Sequence, residues 1–136
     1  MKIVYNKHIP FRGYLCMNLL GLILFVRMIK VNGEWVKPTL SKETLNHENI
    51  HSAQYCETLW LGFLLWYAIE YLLVRVFHKK RGDAYHDVSF EEEAHTFDKY
   101  PTYLNERKHY AWIKYIKIRS NEKHANIQEV VQRFAC

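Results

Sequence analysis

Two histidines four residues apart, with a glutamate directly after the first, carry the most pointed chemistry in this chain: His47-Glu48-Asn49-Ile50-His51. In a helix, residues four apart lie one turn above each other on the same face. Two imidazoles so placed can bind one zinc ion, and Glu48 can then hold a water at that ion and take its proton. The competing reading is a polar helix on which His47 and His51 face solvent or hydrogen-bond locally.

The flanking residues supply the helix this chemistry needs. Ser41 is a good N-cap, with Thr44 and Leu45 in the first turn. No proline or glycine interrupts residues 39 to 61. A catalytic zinc site also needs a third protein ligand and an open position. The candidates downstream are His86, Glu91, Glu92, Glu93, His95 and Asp98.

On these motifs the chain resembles the gluzincin metallopeptidases, in particular the small single-domain minigluzincins and the prenyl-protein-processing membrane peptidases. It also resembles small bacterial proteins of the same plan. The likeness covers about residues 41–98. In those families a second motif reads E-x-x-A-D or E-x-x-A-N, and its first glutamate binds the metal. Here Glu91-Glu92-Glu93-Ala94-His95 stands in its place. The resemblance therefore implies zinc held by His47, His51 and Glu91, with Glu48 as general base. His95 replaces the Asp or Asn that supports a zinc-binding histidine. Gln54 echoes the H-E-x-x-H-x-x-Q of some zincins. Read alone, Glu91 to Glu93 is a solvated acidic first turn. Glu91 and His95 nevertheless share one helical face, and Glu93 and His95 are the alternative ligands.

At 136 residues the chain is the size of a single domain or a small membrane protein. With 49% hydrophobic and 15% aromatic residues it can fill a core, which excludes general disorder. The net charge of +5 suits an anionic membrane surface or nucleic acid. Basic and aromatic residues interleave near 103–119, but no nucleic-acid-binding motif occurs, and no nucleic-acid partner is expected. Three widely spaced cysteines without C-x-x-C read as reduced thiols. With no secretory signal in view, the expected location is the cytoplasmic side, with membrane association.

In chain order, residues 2–9 read as a short strand ended by Pro10. The apolar run Tyr14 to Val26, broken only by Asn18 and Gly21, suits a buried strand, a strand pair or a membrane-dipping segment. Asn32-Gly33 predicts a hairpin turn. The motif helix then leads into residues 58–77, whose 19 apolar-rich residues from Leu59 match a membrane span in length. Glu70 and Arg75 within it oppose that. A single span would also place His51 and Glu91 roughly 30 Å apart, so a shared zinc requires the chain to fold back. Glu70 would then face protein or water, near the site or paired with an arginine. The basic cluster His78-Lys79-Lys80-Arg81 follows, then a turn at Gly82-Asp83. A helix from Ser89 as N-cap, a basic-aromatic helix over 103–118 and a weaker one over 121–134 complete the reading.

The expected fold is α+β: one zincin-like domain over 1–136, with a β region at 1–38, metal-site and apolar helices at 41–98, and C-terminal helices at 101–136. The expected activity is zinc-dependent hydrolysis of a peptide or protein substrate held along a β edge. The alternative is a non-catalytic, membrane-associated interaction protein of the same fold.

Overall fold

A computed structural model describes residues 1–77 and 85–116. The expectations for Gly82-Asp83 and for 121–134 lie outside the described residues. The fold is α+β. Strands β1 (Lys2–Asn6), β2 (Cys16–Leu19) and β3 (Ile23–Arg27) form one sheet in the order β1-β3-β2. β1 runs parallel to β3, and β2 runs antiparallel to it. The apolar run is thus a strand pair, and β2 is an edge. Strands β4 (Ile29–Val31) and β5 (Glu34–Val36) form a separate hairpin. Its turn residues Asn32 and Gly33 have φ of 50° and 91°, the positive values that a two-residue hairpin turn requires.

Helix α1 (Lys42–Glu57) carries the histidine motif. Ser41 caps it, its Oγ accepting from Thr44 N at 3.0 Å. The sheet is seated on α1 through Gly21, whose φ is 69°. A Cβ there would lie 3.2 Å from both Ser52 Cα and Tyr55 Cβ, so both the backbone and the close approach call for glycine.

α1 does not continue into the apolar segment. Leu59 and Trp60 take left-handed φ of 53° and 57°, and helix α2 (Leu61–Phe77) leaves at 109° to α1. Among the described residues no single helix is long and apolar enough to cross a membrane. The inner face of α2 carries Phe63, which stacks on Tyr55 at 3.8 Å and on Phe90 at 4.3 Å. Val88 and Trp112 complete this core. Glu70 is also on the inner face, and among the described residues it is paired with no arginine. Its Oε2 accepts from Ser89 Oγ at 2.6 Å and from Trp66 Nε1 at 3.0 Å.

Helix α3 (Ser89–Phe97) packs along α1 through Ile50, Ala94 and Phe97. Ser89 is not its cap: Val88 holds that position, and the Ser89 hydroxyl is committed to Glu70. At the other end Asn46 Nδ2 donates to the carbonyls of Phe97, Asp98 and Tyr100 at 2.9, 2.9 and 3.1 Å. One amide thereby satisfies carbonyls that a helix end leaves open and fixes α3 against the motif helix. The expected long helix from Tyr103 is instead a short α4 (Tyr103–Glu106) followed by a 3-10 turn, Ala111–Tyr115. The chain breaks at Arg107, where backbone ψ is 126° and the side chain turns inward between Glu57 and Glu93.

Candidate metal centre

The α1–α3 packing brings His47, His51 and Glu91 together. His47 Nε2 and His51 Nε2 are 3.0 Å apart. Glu91 Oε2 lies 3.5 Å from His47 Nε2, and Glu91 Oε1 lies 3.5 Å from His51 Nε2. Ligand atoms around a tetrahedral zinc with bonds near 2 Å stand about 3.3 Å apart, so the three spacings match what one ion requires. Glu91 is 3% exposed, and its Oε2 is buried without a hydrogen-bond partner. An orphaned carboxylate oxygen facing two imidazole nitrogens is the donor set a borderline-soft divalent cation takes. The residues fit a metal ion: His47 and His51 are the pair the motif spacing singles out, and Glu91 is the ligand the resemblance implied.

The groups of the triad are strongly coupled. Burial opposes charge on both partners, and their mutual attraction overcomes it. His51 is pushed up to about 9, against burial, by the adjacent Glu91. Glu91 is driven well below the usual carboxylate range, again against burial, by His51 and His47. A charge pair so strongly coupled in a desolvated place is a common mark of a functional site.

Other partners hold these side chains. Gln54, fully buried on α1, lies with Oε1 2.7 Å from His51 Nδ1. Its Nε2 donates to Phe90 O at 3.1 Å and to Glu93 Oε2 at 3.0 Å. Tyr67 Oη donates to Glu91 Oε1 at 3.3 Å. Burial and the neighbouring Glu91 push the phenols of Tyr67 and Tyr85 up, so both stay neutral donors. His95 packs beside His47 with the rings tilted, centroids 4.5 Å apart, and its Nε2 is 3.9 Å from Glu91 Oε2. His47, His95 and Asp98 form a second group with metal-ligand spacing. Glu93 points away from the triad, accepting from Tyr103 Oη at 2.7 Å and from Arg107 Nε at 2.5 Å.

Glu48 lies on the cavity side of α1. The thiol of Cys16, on β2, donates to its Oε1 at 3.2 Å. Asn18, also on β2, donates through Nδ2 to Glu48 O at 2.8 Å and to Ser52 Oγ at 3.1 Å. The cavity, about 390 Å³, is bounded by Glu48, His51 and Glu91 and by the exposed side chains of Phe11, Tyr14 and Leu64. Sequence reasoning missed Cys16, Tyr67, Tyr85 and Arg107. Asn18 had a signal, because a lone amide within an apolar run must find a partner when buried.

Comparison of the chain with protein-family models, with curated proteins and with solved structures finds no match in any of the three.

Proposed function

We propose that this protein is a zinc-dependent metallopeptidase of gluzincin type. The observation that carries the reading is the convergence of His47, His51 and Glu91 at zinc-like spacings, with Glu48 beside them on the wall of a cavity. His47, His51 and Glu91 would hold zinc, which would supply Lewis-acid polarisation and water of lowered pKa there. Glu48 takes the proton of the attacking water and returns it to the leaving amine. Tyr67 holds Glu91 in place. The open edge of β2, which lines the same cavity, receives an extended peptide by strand addition.

The test is elemental analysis of the purified full chain beside His47→Ala and Glu91→Ala, followed by casein hydrolysis by the parent and Glu48→Gln. The expected result is about one zinc per chain, lost in both ligand variants. Glu48→Gln should retain zinc and lose about 100-fold or more in hydrolysis. No metal in the parent after zinc is supplied, or parental hydrolysis by Glu48→Gln, overturns the reading.

The position of His95 favours a second reading. At 3.9 Å from Glu91, it is a fourth donor that could close the coordination sphere, as in structural zinc sites. The protein would then keep its metal without hydrolysing anything and serve as an interaction module. Zinc that resists chelators, in a chain inert towards casein, distinguishes that case.

A further inference from the structure

Helix α2 is inverted relative to a helix on a soluble surface. Its one acidic residue, Glu70, is fully buried on the inner face. Its outer face carries Leu61, Leu65, Ile69, Leu72 and Val76, each between 50% and 67% exposed, with Leu64 and Ala68 exposed between them. Arg75, in the last turn, is the sole charge on that face. An amphipathic surface helix places its charges outward and its apolar stripe inward. A contiguous outward apolar stripe needs a partner.

We infer that the outer face of α2 docks in the plane of an anionic lipid surface and holds the cavity mouth at that surface. Three observations favour lipid over a second copy of the chain. The exposed apolar positions 61, 64, 65, 68, 69, 72 and 76 make a band broader than the two positions per heptad of a paired-helix seam. Such a seam also needs alternating charges along its flanks, and α2 offers only Arg75. Directly after α2 the sequence reads His78-Lys79-Lys80-Arg81, in a chain of net charge +5, which complements anionic headgroups. Among the described residues α2 runs for 17 residues, about 26 Å, no single helix is long and apolar enough to cross a membrane, and α2 meets α1 at 109°. Leu64 belongs both to this face and to the cavity wall, where exposed Phe11 and Tyr14 join it. Resting on the peptidase reading, the substrate class is then a polypeptide presented at the membrane surface.

The experiment is co-flotation of the full chain with vesicles of phosphatidylcholine alone and of equal parts phosphatidylcholine and phosphatidylglycerol. The parent should float with the mixed vesicles. A Leu65→Glu, Leu72→Glu variant should lose that binding by about tenfold or more while keeping its zinc and its hydrolysis of soluble casein. Its hydrolysis of a lipid-anchored peptide on mixed vesicles should fall to a similar extent. His47→Ala should float like the parent, which separates this inference from the metal site. Flotation without hydrolysis of any substrate overturns the peptidase reading alone. A parent that stays in solution with both vesicles overturns the docking. So does a lipid-free dimer that the same two substitutions dissociate, because the face would then join two copies.

Discussion

Gln54 fixes the orientation of His51. Its amide nitrogen is committed to Glu93 Oε2 and Phe90 O, so its oxygen faces His51 Nδ1 at 2.7 Å. His51 must therefore place a proton on Nδ1, which leaves Nε2 as the atom turned towards His47 and Glu91. Gln54→Ala should weaken zinc binding by about 10- to 100-fold, the usual effect of removing a partner behind a metal-binding histidine. Competition with a fluorescent chelator measures it. Unaltered affinity would remove Gln54 from any role in supporting the site.

Arg107 lies at the far end of the same chain of contacts. Its guanidinium donates to both carboxylate oxygens of Glu93 and to both of Glu57, and all three side chains are at most 5% exposed. Arg107→Ala leaves two buried carboxylates without their cation. The expected loss is about 3–5 kcal/mol, read from denaturant unfolding. A loss below about 1 kcal/mol, the range of surface pairs, would mean that water reaches the network.

Much of this arrangement could be read from the sequence, because it depends on local periodicity. The histidine spacing, the Ser41 cap and the Asn32-Gly33 turn each act within one turn of chain. The break at Leu59–Trp60 could not be read, since neither residue favours a left-handed backbone. It is imposed by Phe63 packing between Tyr55 and Phe90, a contact among three separate elements. Glu93 shows the same limit. As one of three adjacent glutamates it stood as the alternative ligand to Glu91. What distinguishes them is Arg107, which is distant in sequence and lies where a continuous helix was expected.

Glu70 gives the protein a pH dependence of definite sign. Burial raises its pKa above the ordinary 4.5, and the bonds from Ser89 and Trp66 only partly oppose that. A carboxyl raised on folding binds its proton more tightly in the native state. Its contribution to stability is therefore full below its unfolded pKa and is lost as pH rises through the folded value. Glu70→Gln keeps the shape without the charge, so it should melt higher than the parent at pH 8, and the gap should close towards pH 4. A gap that widens on acidification would mean that Glu70 is ionised in the folded protein.

Cys16 and Glu48 allow a test at the cavity itself. The Cys16 thiol is pushed up to about 12, first by burial and then by the Glu48 carboxylate that it faces. Cys56 is an exposed free thiol. Thiolate is the reactive form, so a buried thiol raised this far reacts slowly. Iodoacetamide followed by peptide mapping should thus label Cys56 quickly and Cys16 slowly. Glu48→Gln removes the charge facing the thiol, so it should speed labelling of Cys16 and leave Cys56 unchanged. Equal rates at Cys16 in the parent and the variant would mean that burial alone suppresses the thiol. The contact also orients Glu48, because a carboxylate that accepts a hydrogen bond from β2 is held against the cavity wall. Cys16→Ala should accordingly lower casein hydrolysis while zinc content stays at the parental level. Loss of zinc instead would show that Cys16 supports the whole site and does not act on Glu48 alone.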